Sequence, residues 1–284
     1  MTRPLELDWF RSIKNLPSLP EQINSVLVAT GSTSSMDYNI VEIIQYDPSM
    51  ALSVLKVANS PVYGYSGKIS SLQQAAGLLG PGAIKNIILR TPILERHLTN
   101  RQNDTPIDFS DLWAHCGVTA SLSGGLARLV GGLESDVCFT SGLIHDAGII
   151  ALSVFYPKEL AKAFAISHDE KMDLLDAEKK VFGFNSSQVS MELMIAWNFP
   201  ETLSALNRLE NKTELDSKRI AVVALAKLLS GEWGYPGCSH LHGEPGKEKL
   251  LQSLKISTDD LSRWEPELRK YAMLAMNVLK DEAN

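Results

Sequence analysis

The sequence predicts an all-α protein, and three observations carry that prediction. Apolar residues recur at helical spacing in segment after segment. Strict period-two alternation, the mark of a half-buried strand, is absent throughout. Cap residues and Gly or Pro punctuation divide the chain into pieces of helical length. At 284 residues the chain is long enough to bury a sizeable core, as one large domain or two closely packed ones.

In LPSLPEQINSVLVAT, Ser18 and Glu21 form a capping pair and Pro20 suits a first turn. Ile23, Val26, Leu27 and Thr30 then mark one buried face. After a polar linker from Gly31 to Met36, Tyr38 to Tyr46 makes a short amphipathic turn or two. Asp47-Pro48 starts the next helix, which stops at Asn59-Ser60-Pro61 because proline disfavours helix in the residue before it. A loop, VYGYSGK, follows, and Ser70 or Ser71 with Gln73 or Gln74 caps a helix ending at Leu79-Gly80-Pro81-Gly82. Another runs from Ala83 to about His97, with Pro92 expected to kink it. Arg101 to Pro106 reads as a linker. Helices are then predicted over Phe109–Val130 and Phe139–Phe155, followed by shorter ones to about Ser230. The stretch from Trp233 to Gly246 is a Gly/Pro-rich loop, and Lys247–Leu254 and Asp259–Lys280 close the chain.

Composition excludes several function classes. The chain is 44% hydrophobic and 21% charged, with 27 basic against 33 acidic residues. A net charge of −6 argues against general nucleic-acid binding, which needs a basic face. Lys218, Arg219, Lys247 and Lys249 read as solvated charge rather than a basic stripe. The charged N-terminus lacks the apolar core of a signal peptide, and the sequence offers no obvious membrane span. Cys116, Cys138 and Cys238 are widely spaced, with no CxxC pair, so they read as reduced thiols. The expectation is a cytoplasmic protein without a membrane or nucleic-acid partner.

Chemistry has few candidates. GLIHDAGIIAL sets His145 and Asp146 side by side in an apolar run suited to a buried helix. On a continuous helix they would sit about 100° apart and share a metal only at its edge. His115, in DLWAHCGVTA, can face them from a neighbouring helix. His168-Asp169 lies in a polar turn, where Asp169 reads as a helix N-cap. Cys238, His240 and His242 alternate on one loop, too closely spaced for a zinc site. There is no GxSxG elbow, GxxxxGK[ST] or GxGxxG cradle. Trp113, Trp197 and Phe182 read as packing.

Several blocks in order resemble the HDOD domain family, relatives of the HD-superfamily phosphohydrolases of bacterial signalling. They are LPSLPEQ, Asp47-Pro48 with Leu55 and Ala58-Asn59-Ser60, ISSLQQAAGLLG, and Trp113-Ala114-His115. GLIHDAG, Ala177-Glu178 leading to Phe182-Gly183, and Trp197-Asn198-Phe199-Pro200 follow. The resemblance implies an HD-like helical bundle preceded by an N-terminal helical subdomain and closed by C-terminal helices. Its expected boundaries are 1–100, 101–232 and 233–284. In the HD superfamily, histidines and aspartates hold metals that activate water against phosphoesters. His115, His145 and Asp146 match that set, whereas Ser186 and Lys227 stand where further ligands are expected, and ALNRLEN lacks a His-His pair. A divalent ion 4 Å from a lysine ammonium would be opposed by about 8 kcal/mol at an effective dielectric of about 20.

The resemblance therefore implies a non-catalytic signalling module that binds a protein partner or small molecule, with a degenerate metal site, no metal and no cofactor. The alternative is a metal-dependent phosphohydrolase acting on a nucleotide or cyclic dinucleotide, with metal at His115, His145 and Asp146. Two further expectations follow: Lys227 pairs with Asp146, and a groove between subdomains gathers Tyr63 and Tyr65 with His115 and His145.

Overall fold

In a computed structural model, the structure describes residues 9, 13–19, 40–92, 107–204, 214–237 and 246–281. The expected helix over Ile23–Thr30, the linkers around it and before Phe109, the ALNRLEN segment, and His97, Cys238, His240 and His242 lie outside those residues. The described residues contain helices and no strand.

The first described helices follow their punctuation. Helix α1 spans Ile40–Ile44 and α2 spans Pro48–Ala58. The Asp47 carboxylate caps α2 by accepting from the Met50 amide at 2.7 Å. The same buried carboxylate accepts from Trp113 Nε1 at 3.0 Å and from the Ser18 hydroxyl. Burial raises its pKa, against the lowering effect of these bonds. Asn59 ends α2 and then holds the next loop, donating to the Ile69 carbonyl and accepting from the Ile69 amide.

Helix α3 spans Leu72–Ile88, and Ser71 caps it by accepting from the Gln74 amide. The stop predicted at Leu79-Gly80-Pro81-Gly82 falls at Gly80, where the backbone leaves the helix, so α3 is two helical stretches joined across a kink. Gly80 takes φ 73° and ψ 163°, a backbone conformation that glycine tolerates, and the helix resumes at Pro81. The helix then ends at Ile88, so Pro92 lies beyond it rather than kinking it.

Helix α4, Phe109–Val130, is the central pillar, and every residue from His115 to Ala127 is buried. One side of it, with Leu112, Trp113, Cys116 and Ala120, joins an apolar cluster running from Ile13 to Leu203. Another, with Val118, Leu122 and Leu126, joins a second cluster built with residues 221–275. Helices α5 (Ser135–Ile144), α6 (Ala147–Phe155), α7 (Pro157–Glu170), α8 (Leu174–Phe182), α9 (Ser186–Ala196) and the short α10 (Glu201–Ser204) extend the first cluster. Helices α11 (Glu214–Glu232), α12 (Lys247–Leu254) and α13 (Thr258–Asp281) complete the second. Both α11 and α13 pack directly on α4.

Three local readings are corrected. The helix predicted over Phe139–Phe155 is two helices, α5 and α6, separated at His145-Asp146. Asp169 lies in the last turn of α7, and Asp173 is the residue that caps the next helix, accepting from the Leu175 amide. Arg219 is not solvated: it is buried and ion-paired with Glu134 at 2.6 Å and Asp216 at 3.2 Å. The run Ser135–Phe155 is long and apolar enough to cross a membrane by composition alone, but 83% of its apolar window is buried in the bundle.

Candidate functional site

The break between α5 and α6 is what makes a site. Because the helix interrupts at His145 and Asp146, the two side chains converge, with His145 Nε2 3.2 Å from Asp146 Oδ1. Helix α4 brings His115 to the same point. Its Nε2 lies 3.2 Å from His145 Nε2 and 3.8 Å from Asp146 Oδ2. One donor atom from each of the three residues falls within 4.8 Å of the others.

Backbone carbonyls fix both imidazoles. His115 Nδ1 donates to the Tyr235 carbonyl at 2.7 Å, and His145 Nδ1 donates to the Gly142 carbonyl at 2.7 Å. A carbonyl only accepts, so each neutral ring carries its proton on Nδ1 and turns a lone pair inward from Nε2. Two such lone pairs at 3.2 Å repel unless a proton or a cation stands between them. Carbonyl-anchored imidazoles of this kind are how proteins orient metal-ligating histidines. The Gly237 backbone closes over the His115 ring, where a Cβ would clash with it.

Charge at the site is balanced from α11. Burial works to raise the Asp146 carboxyl pKa, but the charge of His145 in its protonated form, the Lys227 charge, and the hydrogen bond that a protonated His145 donates from Nε2 outweigh it and hold the carboxyl ionised. Burial lowers the His115 pKa to about 4, and the His145 and Lys227 charges lower it too, against the opposing pull of Asp146.

Next to the three ligand-type residues lies an open cavity of about 180 Å³. His145, Asp146, Ser186, Ser187, Ser190 and Lys227 supply its polar lining, and Ile149, Leu175 and Val223 part of its apolar wall. The packing of α6 on α9 holds it in shape: Gly148 donates its amide to Ser190 Oγ at 2.7 Å. Ser186 lines the cavity from the start of α9, and Lys227 lines it from α11. Tyr63 and Tyr65 do not join them. Both are exposed, in the turn after α2, and neither lines this cavity.

Sequence reasoning did not single out Glu178 as a site residue. Its side chain is fully buried behind Ser186, whose amide donates to Glu178 Oε2 at 2.6 Å, while Oε1 has no partner. Desolvation pushes its pKa up to about 7, and the nearby Asp146 charge adds to that. Its place in an Ala-Glu dipeptide on an amphipathic helix was the only available signal.

The HDOD domain family model matches residues 16–212. The chain belongs to the HDOD domain family. This HDOD protein shares its fold with the MmoQ response regulator of Methylococcus capsulatus str. Bath, at TM-score 0.66 and 18% identity, covering 88% of this chain and 97% of that one. A virulence factor of Campylobacter jejuni subsp. jejuni aligns at TM-score 0.65 and 19% identity, over 96% of each chain. An HDOD domain protein of unknown function from Geobacter sulfurreducens aligns at TM-score 0.56 and 19% identity, over 95% and 96%. A search of curated proteins finds no match. The matched segment ends before α11, so Lys227, Tyr235 and Gly237 come to the site from outside it.

Proposed function

We propose that this HDOD protein is a non-catalytic signalling module that works by binding a protein partner or a small molecule. The observation that carries this reading is the cavity lining: Ser186 and Lys227, where further ligands were expected, share it with His145 and Asp146. A hydroxyl and a fixed cation in those places leave a group of three ligand-type side chains among the described residues, too few for a two-metal centre. The free thiols Cys116 and Cys138 are buried, consistent with a reducing, cytoplasmic setting. The test is turnover of a generic phosphodiester, a cyclic dinucleotide and nucleoside triphosphates with added manganese, magnesium or iron. The expected rate equals that of His145→Ala; a rate lost in that variant overturns the reading.

One observation favours the second reading, a metal-dependent phosphohydrolase. The inward Nε2 lone pairs of His115 and His145, with Asp146, fit three positions of a divalent ion that prefers imidazole nitrogen. Those three residues would hold it, and a metal bound there would supply an activated water. His115 and His145 are already oriented for that by their carbonyls, whereas the Lys227 charge opposes it. Metal content of protein purified without chelator separates the readings. Stoichiometric metal removed by His145→Ala favours the second.

A further inference from the structure

A second cleft, of about 350 Å³, opens on the other side of α4, away from the HD-type cavity. Three parts of the chain build it: the turn after α1 and the start of α3, the paired helices α4 and α5, and the C-terminal helix α13. Nothing in the HD-type chemistry uses it. Its size falls in the range of small-molecule sites.

Its residues are arranged by character along α4. At one end stand Arg128 and Asp136. Arg128 is held in place by donating from Nε to Ser135 Oγ at 2.8 Å and by lying 5.2 Å over the Tyr271 ring, whose hydroxyl it also reaches at 3.4 Å. Its partners among the described residues are thus hydroxyls and a ring, not a carboxylate. Asp136, in the first turn of α5, has no cationic partner among the described residues either, and the two charges do not pair with each other. The middle is apolar: Phe139 meets Tyr46 edge-on with centroids 5.8 Å apart, and Leu274 faces them from α13. The Tyr46 side chain starts beside Gly117 and its hydroxyl accepts from Ser121 at 3.4 Å, so its ring holds the far end and its hydroxyl points back along the cleft, while Gln45 and Gln73 add neutral amides to the lining. Ser121 and Arg128 are seven residues apart on one helix, so the ends are roughly 10 Å apart.

We infer that this cleft binds a free aromatic α-amino acid, with tyrosine as the type. A ligand of one charge sign would be attracted by Arg128 and repelled by Asp136, or the reverse. A zwitterionic head satisfies both, its carboxylate on the guanidinium fork and its ammonium on Asp136. The ring fills the Phe139, Tyr46 and Leu274 section, where an edge-to-face arrangement is favoured. The lining amides of Gln45 and Gln73 can donate to or accept from a phenolic hydroxyl. An extended aromatic amino acid matches the length between the ends. The site is independent of the HD-type cavity and of what that cavity does.

The test is calorimetric titration of the full chain with L-tyrosine, tyramine, which lacks the carboxylate, and phloretic acid, which lacks the ammonium group. L-tyrosine is expected to bind, and each analogue to bind at least about tenfold more weakly. Arg128→Gln and Asp136→Asn should each bring the same loss, with circular dichroism and thermal unfolding unchanged. If either variant is misfolded, Gln73→Ala, an exposed position, replaces it and should weaken L-tyrosine but not L-phenylalanine. His145→Ala should leave binding as it is, so a failure at the HD-type site and a failure here read differently. The inference is overturned if L-tyrosine does not bind at millimolar concentration, or if both analogues bind as well as L-tyrosine. Binding that His145→Ala abolishes and Arg128→Gln leaves intact also overturns it.

Discussion

Glu178 is a buried carboxyl group with no cationic partner among the described residues, and its energetics give a pH signature. Its pKa rises from 4.5 to about 7 on folding, chiefly by desolvation. Below pH 4.5 both the folded and unfolded forms hold the proton, and the group costs nothing. Between pH 4.5 and 7 the unfolded chain loses its proton while the folded chain keeps it, so stability falls as pH rises. The full loss is on the order of 3 kcal/mol, reached above pH 7. Glu178→Gln keeps an acceptor for the Ser186 amide and cannot ionise. Denaturant unfolding should show the variant gaining on the wild type from pH 4.5 to 7 and holding that gain above it. A constant difference across that window would show that Glu178 does not titrate there. Lys227 acts through charge as well. Removing it with Lys227→Met should raise the Asp146 pKa, which its charge now lowers. The same variant should raise divalent-metal retention by at least about tenfold, because a like charge beside the ion costs several kcal/mol at a dielectric of about 20. Equal metal content in both proteins would place Lys227's influence elsewhere. His115, His145 and Asp146 were readable as candidates because their residue types are rare in apolar helices. Arg219 was misread because its partner Glu134 lies 85 positions away, and composition carries no information about such a pairing.

At the scale of elements, caps were the most legible feature. Asp47-Pro48 and the span Phe109–Val130 appear where the sequence put them, and the cap offered by Ser70 or Ser71 is made by Ser71, because each depends on a few adjacent residues. The break at His145-Asp146 was not legible. Its flanks are uniformly apolar, and nothing local distinguishes one buried helix from two in a row. What distinguishes them is packing, above all where α6 meets α9. A Cβ on Gly148 would fall on the Ser186 carbonyl and crowd the Ser190 amide, which are backbone and cannot swing aside. Gly148→Ala should therefore destabilise by about 3 kcal/mol or more, the upper range for overpacking. Thermal or urea unfolding measures it, and a near-neutral result would mean that α6 and α9 can separate cheaply. Loss of the Gly148–Ser190 bond in that variant should also deform the cavity wall.

At the scale of the whole molecule, α4 carries both apolar clusters, and the C-terminal helices bury one of its sides. The second cluster takes most of its members from residues 221–275, with Leu268 and Ala275 of α13 fully buried. Truncation after Gly237 would strip α12 and α13 and bare Leu122 and Leu126. The shortened chain is expected to lose cooperative unfolding or to aggregate, whereas the full chain should unfold in one transition by circular dichroism and by tryptophan fluorescence. A soluble, cooperatively folding truncation would make those helices an accessory. That the chain is all-α, and that it ends in two helices, followed from periodicity alone. That those last helices share a core with α4 did not, since sequence periodicity shows that a face is buried and not what buries it.

The ordered blocks by which such chains are recognised all precede α11, yet α11 furnishes the lysine and much of the apolar wall of the HD-type cavity. Two proteins can therefore carry the same signature and differ in the chamber behind it. Substitutions at Ile220, Val223, Ala224 and Lys227 would alter its charge and depth while leaving every diagnostic motif intact. One wall of the cavity thus lies outside the segment that marks kinship, and that wall can diverge without disturbing the match.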